Sequence, residues 1–269
     1  MRVIVHLSDI HFGRLQPSIV EPLASSIVQL RPDLLAVSGD LTQRARKREF
    51  EAARRFLDGM PVPRLVLPGN HDVPLYNVFR RFGSPLARYK RAITSDLSPV
   101  YRDDEMIVVG VNTARSLTWG EGRINEEQVD HIVRTLAGAP ADLIRVVVTH
   151  HPFDLPEGVR EERLLGGAVM AMEKLAAANA DLFLAGHLHL SHIGHTAARY
   201  KIAGHSALVV QAGTVSTRSR GERPSFNVLR IARPNIAVER LVWDPALHAF
   251  AATAAGRFCH RPDGWRAAD

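Results

Sequence analysis

This sequence is constrained most strongly by five short polar clusters, each of which directly follows an apolar run of strand length. Short runs rich in Val, Ile and Leu are typical of buried strands in layered α/β proteins. The clusters lie at residues 8–11, 39–40, 69–72, 149–152 and 186–189. Loops beyond the carboxyl ends of such strands lie at one edge of a sheet, where their side chains can converge. The pattern therefore predicts a polar site assembled from several loops.

Strand-like runs alternate with amphipathic stretches through most of the chain, which predicts an α/β fold, or α+β in some schemes. The expected strands are 3–7, 33–37, 64–67, 106–111, 143–149, 181–184, 207–211, 226–231 and 236–242. The expected helices are 19–30, 46–57, 75–91, 126–136 and 169–178. From about Ala207 onward the helices stop, so we expect antiparallel strands in a second sheet. Residues 251–269, rich in Ala and Gly, are expected to form an irregular tail.

Length and composition fit one globular domain over residues 1–269. Hydrophobic residues make up 46% of the chain and charged residues 23%, which excludes a disordered or fibrous class. We find no run of membrane-spanning length and no secretory signal pattern at the N-terminus, and we therefore expect a cytoplasmic protein. The single cysteine, Cys259, excludes an intrachain disulfide and a thiolate-cluster metal site.

The formal net charge of +6 and the pI near 10 suit an anionic substrate such as a phosphodiester, a nucleic acid or an acidic lipid head group. Arginines dominate the basic residues, since the only lysines are Lys47, Lys90, Lys174 and Lys201. Such a bias also arises from the coding habits of a source organism. The charge by itself therefore carries little weight.

The spacing within the clusters suits a pair of metal ions. Residues two apart in a turning loop can point to the same side, as Asp9 and His11 or His187 and His189 would. Three clusters contain a glycine that lets the backbone turn sharply near an ion: Gly39, Gly69 and Gly186. With no thiolate cluster available, the ligands would be His, carboxylate and amide groups, which suit manganese, iron or zinc.

Each cluster taken singly has an ordinary structural explanation. Asp-x-His and Gly-Asp are common in turns and helix caps, and a His pair after an apolar strand is more often at the surface. The repetition at five strand ends is what favours a site, because together the clusters hold enough ligands for two cations.

In order along the chain, Asp9-x-His11, Gly39-Asp40, Gly69-Asn70-His71-Asp72, His150 and Gly186-His187-x-His189 form a combined signature. With it the sequence resembles the calcineurin-like metallophosphoesterase superfamily over residues 9–189. The resemblance implies a four-layer αββα sandwich of two mixed sheets, with a dimetal site at the carboxyl ends of strands. In size and motif spelling it is nearest to class III cyclic-nucleotide phosphodiesterases and small bacterial phosphodiesterases.

The resemblance also implies the metal ligands. One ion would be held by Asp9, His11 and His189, the other by Asn70, His150 and His187, and Asp40 would bridge both. In such sites the ions lie about 3.5–4 Å apart, and a bridging hydroxide attacks phosphorus in line. His71 would not bind metal, but would reach the phosphate to stabilise charge or to protonate the leaving oxygen.

One position departs from the pattern of many members of the superfamily. They carry an Asp where this chain has Gln43, and that Asp pairs with the residue equivalent to His71. A neutral amide can orient the ring but does not favour imidazolium, so the acid role of His71 stays open against a purely electrostatic one. Asp72 is a further candidate for an orienting role. The remaining nearby histidines are expected to be supporting or surface residues: His151, His192, His195 and His205.

The residues within the motifs narrow the range of expected reactions. Protein serine/threonine phosphatases of the superfamily end the third motif in Glu, whereas this chain has Asp72. Lipid A pathway hydrolases usually carry Arg at the position of His71 and add an acyl-chain cap. The arginine-rich stretch 75–91 could serve as a lid over a lipidic substrate, although a solvated amphipathic helix is the simpler explanation. Nucleases of the superfamily add a capping domain, for which this chain has little room.

We therefore predict hydrolysis of a cyclic nucleotide or a similar small phosphodiester. The alternatives are a pyrophosphate hydrolase of the UDP-lipid type, a nuclease, and a scaffold without catalytic activity. Nucleic acid is a less favoured partner, and the resemblance allows a homodimer. The walls of the pocket are expected around Arg44, Tyr76, residues 112–119 and residues 216–223.

Overall fold

The computed structural model describes residues 1–118, 120–202 and 204–268. Within these residues the strands are β1 (Arg2–Leu7), β2 (Leu34–Val37), β3 (Arg64–Val66), β4 (Val100–Arg102), β5 (Met106–Gly110), β6 (Ile144–Val148), β7 (Leu182–Ala185), β8 (His192–His195), β9 (Leu208–Gln211), β10 (Ser225–Ala232), β11 (Asn235–Asp244), β12 (Ala249–Arg261) and β13 (Gly264–Ala267). The helices are α1 (Pro17–Leu30), α2 (Lys47–Asp58), α3 (Val78–Gly83), α4 (Ala87–Ala92), α5 (Glu126–Ala137), α6 (Ala168–Ala177) and α7 (Thr196–Tyr200).

The strands form two mixed sheets. The first has the order β13-β12-β11-β10-β1-β2-β3, in which β1, β2 and β3 are parallel and the other four are antiparallel. The second has the order β4-β5-β6-β7-β9-β8, with four parallel strands in the middle and an antiparallel strand at each edge. The predicted four-layer αββα sandwich is confirmed.

Strand alternation explains the layers. In β1, Val3, Val5 and Leu7 face the helices α1 and α2, whereas Ile4 faces the second sheet. In β6, Ile144 lies between the sheets, and other buried residues of the second sheet pack against α5 and α6. A strand buried on both faces reads as a continuous apolar run. The polar clusters begin where these buried strands end, so the loops that carry the clusters lie at one edge of the sandwich.

The predicted course of the C-terminal part is wrong in two respects. Strands β10 to β13 extend the first sheet beside β1 and do not build a separate one, because β2 covers only one side of β1 and leaves the other to β10. The irregular tail expected over residues 251–269 is also wrong for the residues that the structure describes. β12 and β13 occupy most of it, and Phe258 and Trp265 pack between the sheets. Asp269 lies outside the described residues.

The single helix predicted over residues 75–91 is two short helices, α3 and α4. The break has a local cause: Ser84 precedes Pro85, and a residue before proline is pushed out of the helical region, here to φ −154° and ψ 67°. Asn77 begins α3 by accepting a hydrogen bond from the Arg80 backbone N–H at 2.9 Å. Among the described residues, no helix is long and apolar enough to cross a membrane.

Candidate metal centre

The polar clusters meet at one edge of the sandwich, beyond the ends of β1, β2, β3, β6 and β7. Backbone hydrogen bonds tie the loops together. Asp9 N–H donates to Gly39 O and His11 N–H donates to Asp40 O, both at 3.0 Å, and Gly186 N–H donates to His150 O at 3.0 Å. These contacts join neighbouring loops within each sheet, and the His187 N–H, which donates to Asp9 Oδ2 at 2.9 Å, connects the loops of the two sheets.

Five residues of these loops adopt left-handed backbone angles that non-glycine residues rarely use. Their φ values are 54° for Asp9, 49° for His11, 54° for Asp40, 71° for His187 and 57° for His189. Such conformations cost about 1–3 kcal/mol each and persist where the surroundings hold them, most often at functional sites. The sheet-edge hydrogen bonds supply that constraint here.

The first group of possible ligands consists of Asp9, His11, Asp40 and His189, whose candidate atoms all lie within 4.8 Å of one another. His189 Nε2 lies 3.0 Å from Asp9 Oδ1 and 3.1 Å from His11 Nε2. All four side chains are buried. Side chains that converge in this way, far from solvent, place their lone pairs around a shared point.

The second group consists of Asn70, His150 and His187. Asn70 Oδ1 lies 3.1 Å from His150 Nε2 and 3.0 Å from His187 Nδ1. Asp40 links the groups: its Oδ2 lies 3.7 Å from His11 Nε2, and its Oδ1 lies 3.4 Å from His150 Nε2. One carboxylate therefore turns one oxygen toward each group.

The far ring nitrogens of three histidines are held by backbone oxygens. The acceptors are Thr42 O for His11 (3.2 Å), Ser38 O for His150 (2.8 Å) and Arg218 O for His189 (2.7 Å). A carbonyl accepts the Nδ1 proton and leaves the Nε2 lone pair free, which is how proteins prepare histidine to bind metal.

The donor set fits divalent cations. Ligands about 2.0–2.2 Å from a zinc ion lie about 3.0–3.5 Å from each other, which is close to the spacings above. Asp9 gives a second indication. Its Oδ2 accepts hydrogen bonds from Ser8 Oγ at 2.6 Å and His187 N–H at 2.9 Å, whereas its buried Oδ1 has no well-directed hydrogen bond within the described part of the chain. A buried oxygen in that state is matched by a bound cation.

Two glycines allow the loops to approach this closely. A Cβ at Gly69 would overlap the side chain and backbone nitrogen of Asp40, and one at Gly186 would overlap Ser8 Oγ. Glycine is therefore needed at these two positions because the backbone passes too close to the site for a side chain, in addition to the sharp turns that the sequence suggested.

Comparison with known proteins identifies the architecture. The family model for the calcineurin-like phosphoesterases matches residues 2–191. The chain belongs to this family. The matched range contains all five polar clusters, so the family signature and the two groups of possible ligands coincide.

Three relatives illustrate the family. A glycerophosphodiester phosphodiesterase, GpdQ, from Enterobacter lignolyticus (strain SCF1) is 33% identical over 81 residues, 26% of this chain and 29% of that protein. Purple acid phosphatase PPD1 from yellow lupin seeds superposes with a TM-score of 0.69 at 11% identity, covering 95% of this chain and 53% of its own. A dimetal phosphatase from Danio rerio gives 0.65 at 13% identity, covering 89% and 95%. The chain spans less than a third of the curated relative, and the structural likeness shows the fold.

Burial and charge have opposite effects on the pKa values of the candidate ligands in this phosphoesterase. Burial would favour neutral carboxyls, but the surrounding histidines hold the pKa of Asp9 and of Asp40 well below the ordinary value. Burial lowers the pKa of His150, and the Asp40 carboxylate more than compensates and raises it to about 9. A cation at this place must displace that proton, so metal binding and proton release are coupled.

His71 lies beside the two groups and is half-buried. Its Nδ1 lies 2.9 Å from the backbone oxygen of Gln43, and its Nε2 lies 2.7 Å from Arg218 Nη1. Gln43 thus orients the ring through its carbonyl and not through the side-chain amide that the sequence suggested. Burial and the nearby Arg218 and His11 lower the pKa of His71, against the opposing charge of Asp40.

Asp72 lies under the site and fixes the third loop. Its carboxylate accepts hydrogen bonds from the backbone N–H groups of Leu41, Thr42 and Gly69 and from Thr42 Oγ1 at 2.8–3.1 Å. Burial and the charge of Asp40 raise its pKa to about 7, while these donors favour the ionised form. Asp72 therefore connects the second and third loops, and its orienting role in the reaction stays a prediction.

Among the other histidines, His151 is close to the site but already bonded. Its Nε2 lies 3.2 Å from Gly120 O and its Nδ1 lies 2.8 Å from Thr113 Oγ1, so both ring nitrogens have partners although the ring packs 4.5 Å from that of His187. His192 and His195 belong to the edge strand β8, and His205 follows α7. A ring nitrogen of His151 nevertheless lies within 4.8 Å of those of His150 and His187, whereas in the described residues His192, His195 and His205 belong to no such group.

A cavity of about 170 Å³ opens beside His71 and Asn70, between the metal centre and the segment before α3. Its other lining residues are Gln43, Arg44, Val73, Leu75, Arg81 and Gly120. Arg44 and residues near Tyr76 were expected here, whereas Arg81 was not. Trp119, expected in the wall, lies outside the described residues. Arg218 was predicted only as part of a loop, because its approach to His71 depends on chain packing over a separation of 147 residues.

Proposed function

We propose that this chain is a two-metal phosphodiesterase that hydrolyses cyclic nucleotides or similar small diesters. The position of Asp40 carries the proposal, because its two carboxylate oxygens face two separate groups of ligand atoms. A structural site for one ion has no need of that arrangement, whereas a pair of ions acting on one phosphate does. Membership of the calcineurin-like phosphoesterase family supports the same chemistry.

Each group is assigned one ion in this proposal. Asp9, His11 and His189 would hold the first, Asn70, His150 and His187 would hold the second, and Asp40 would contribute to both. Two divalent cations there would polarise the phosphate oxygens and lower the pKa of a bound water. Nitrogen and oxygen ligands without thiolates suit manganese, iron or zinc.

The chain's own residues position the ester. The cavity beside the ligands is lined by the cations Arg44 and Arg81 as well as by His71, which suits an anion. At about 170 Å³ it is smaller than the roughly 300–1,000 Å³ of sites that enclose drug-sized ligands. That volume favours a small diester whose second substituent extends into solvent.

A glycerophosphodiester is the second candidate substrate. The observation that favours it is the similarity to the glycerophosphodiester phosphodiesterase GpdQ. The similarity covers 26% of this chain. It therefore supports a phosphodiester as the substrate class more strongly than it supports glycerol as the alcohol in that ester.

The remaining alternatives are a nucleotide-linked or lipid pyrophosphate, a nucleic acid, and a scaffold without catalytic activity. The scaffold is disfavoured because every ligand of the family signature is present and buried or half-buried. A homodimer and a cytoplasmic location stay predictions from the sequence.

The proposal is tested with purified protein supplied separately with manganese, iron and zinc. Bound metal is measured by elemental analysis, and hydrolysis is measured on a 3′,5′-cyclic nucleotide, a glycerophosphodiester, a UDP-lipid analogue, single-stranded DNA and bis(p-nitrophenyl) phosphate. We expect two ions per chain and the highest kcat/KM on a small diester. Two bound ions with no hydrolysis of any ester would favour the scaffold, and preference for DNA would favour a nuclease.

A further inference from the structure

Arg218 reaches the site from the loop after β9. Its Nη1 lies 2.7 Å from His71 Nε2, and its side chain is half-buried. Neither the family signature nor the ligand groups include this residue. It nevertheless forms a hydrogen bond to His71, the histidine that the resemblance places beside the phosphate.

The hydrogen bonds of His71 show which of the two side chains, His71 or Arg218, has N–H groups free to donate to a ligand in the cleft. A guanidinium has only donors, so Arg218 donates to His71 Nε2. On the other side of the ring, Nδ1 faces the carbonyl oxygen of Gln43, which only accepts. His71 therefore keeps its proton on Nδ1 and a lone pair on Nε2. The N–H groups available to a ligand belong to Arg218.

The loop that carries Arg218 is anchored to the metal centre. Its own carbonyl accepts from His189 Nδ1 at 2.7 Å, and its N–H donates to Ser216 Oγ at 3.3 Å. The preceding Thr217 bonds to Arg14 O through both its N–H (3.2 Å) and its hydroxyl (2.9 Å). The backbone of Arg218 is thus held in place by contacts that do not involve its guanidinium.

The charge balance implies an anion at this place. Arg218 is attracted by the carboxylates of Asp9 and Asp40, and burial opposes its ionised form. Once cations neutralise those carboxylates, the guanidinium faces like charge across the cleft. A phosphate between them relieves that repulsion and can accept two N–H groups of a guanidinium at once.

We propose, on the basis of the function proposed above, that Arg218 leaves His71 and binds the phosphate oxygens of the ester. The role is electrostatic: no bond forms at the guanidinium and no proton leaves it. His71 then serves as the resting partner that keeps Arg218 oriented before substrate arrives. This assigns to Arg218 the stabilisation of charge that would otherwise fall to a protonated histidine.

Inorganic phosphate is the probe that tests binding apart from catalysis. Manganese-loaded wild type, Arg218→Gln and Arg48→Gln are compared by calorimetric titration, with the exposed Arg48 of α2 as the control for loss of one positive charge. We expect Arg218→Gln to weaken phosphate binding about tenfold or more, since a charge-assisted hydrogen bond is lost, and Arg48→Gln to stay within about twofold. Unchanged affinity in Arg218→Gln overturns the inference, and so does loss of bound metal from that variant.

Turnover gives the second measurement. On bis(p-nitrophenyl) phosphate we expect Arg218→Gln to lower kcat about 100-fold, the loss typical of one transition-state donor. Arg218→Ala should regain part of its rate with added methylguanidinium, which a purely structural role would not allow; absence of rescue counts against the proposal. If wild type binds metal and phosphate but hydrolyses nothing, the proposed function fails, while the phosphate titration still decides the role of Arg218.

An independent observation concerns the mouth of the cavity. Tyr76, Phe79 and Phe82 are 77%, 93% and 54% exposed, and Val78 and Leu117 are 58% and 80% exposed. Arg81 connects the segments that carry these side chains. It lines the cavity and donates hydrogen bonds to Pro74 O at 3.1 Å and Thr118 O at 2.6 Å. Large apolar side chains gathered at one place on a surface mark a contact site.

The charges next to this rim indicate an anionic lipid surface. A groove along α2, α3 and α4 is lined by five cations and one acid: Lys47, Arg54, Arg80, Arg88 and Arg91 with Glu51. Aromatic side chains beside basic ones are typical of proteins that lie on the interface of acidic bilayers. We infer that the rim, defined as residues 76–82 with Leu117, docks on an anionic membrane and brings the cavity to it.

The docking is tested by sedimentation with vesicles of pure phosphatidylcholine and with vesicles containing phosphatidylglycerol. We expect wild type to bind only the anionic vesicles, and Phe79→Ser/Phe82→Ser to lose at least about tenfold in binding. Leu247→Ser removes a side chain that is 67% exposed elsewhere and should bind as wild type does. Failure of wild type to bind either vesicle, or self-association that the double variant abolishes, overturns the inference, the latter in favour of a second copy.

Discussion

Two regions that border the same cavity are built in opposite ways. In the metal centre, Asp9, His11 and His150 are fully buried and their orientation is set by backbone atoms. Across the cavity, the segment from Pro74 to Gly83 exposes most of its side chains and is anchored mainly through Arg81. The difference teaches that the fold fixes the geometry of the candidate metal ligands, whereas the facing segment presents most of its side chains to solvent.

Removing the link between the two ligand groups should have the largest effect. Asp40→Asn keeps the shape but loses the charge that faces His11 and His150, so we expect bound metal to fall below two ions per chain and kcat/KM to fall by at least about 100-fold. Asp130→Asn, which removes a partner of Lys174 at the surface, should change neither quantity. Elemental analysis and hydrolysis of bis(p-nitrophenyl) phosphate check both. Retained activity in Asp40→Asn would show that the groups do not act as one centre.

A pair of glycine variants sharpens the contrast between the regions. Gly69→Ala places a methyl group against Asp40, and we expect activity to fall at least about tenfold and the free energy of unfolding to fall by about 1–3 kcal/mol. Gly83→Ala, at the end of α3, meets open space and should leave stability unchanged or raise it by up to about 1 kcal/mol. Denaturant titration measures both. Equal effects in the two variants would contradict the difference in packing.

His71→Ala should have a smaller effect. Its Nε2 accepts from Arg218, so we expect turnover to fall only about tenfold, less than the roughly 100-fold to 10,000-fold of a lost general acid. Metal content should stay unchanged, because within the described residues neither ring nitrogen of His71 forms a hydrogen bond with a candidate metal ligand. A loss within the larger range would restore the acid role, and loss of metal would make the residue structural.

The smallest effect is expected at the exposed rim. Phe79→Ser changes a side chain that is 93% exposed, and kcat/KM for a water-soluble diester should stay within about twofold of wild type. The same assay applied to Leu247→Ser gives the background for an exposed apolar residue. A large loss of activity on a soluble diester would mean that the rim takes part in catalysis and that the two regions are not separate.

Sequence reasoning reached much of this structure because the relevant signals are local. Apolar runs mark the parallel strands, and the polar residues that follow them mark the strand ends, so Asp9, His11 and Asp40 could be grouped before their distances were known. The helix break at Ser84 was missed, although its cause is equally local, since Pro85 follows directly in the sequence.

What the sequence did not reveal depends on partners far along the chain. The alanine-rich segment of β12 has weak strand propensity, and it is held by pairing with β11 on one side and β13 on the other. Arg218 likewise has no pattern of its own. Arg218 contacts His71 only because the loop after β9 lies beside the ends of β1 and β3.

The bond between Thr214 Oγ1 and the backbone oxygen of Asp9 joins residues 205 positions apart. β1 likewise gains its second neighbour only from β10. Contacts of such separation form late and slow the folding of a chain. During synthesis, β1 therefore keeps one edge unpaired until β10 has left the ribosome.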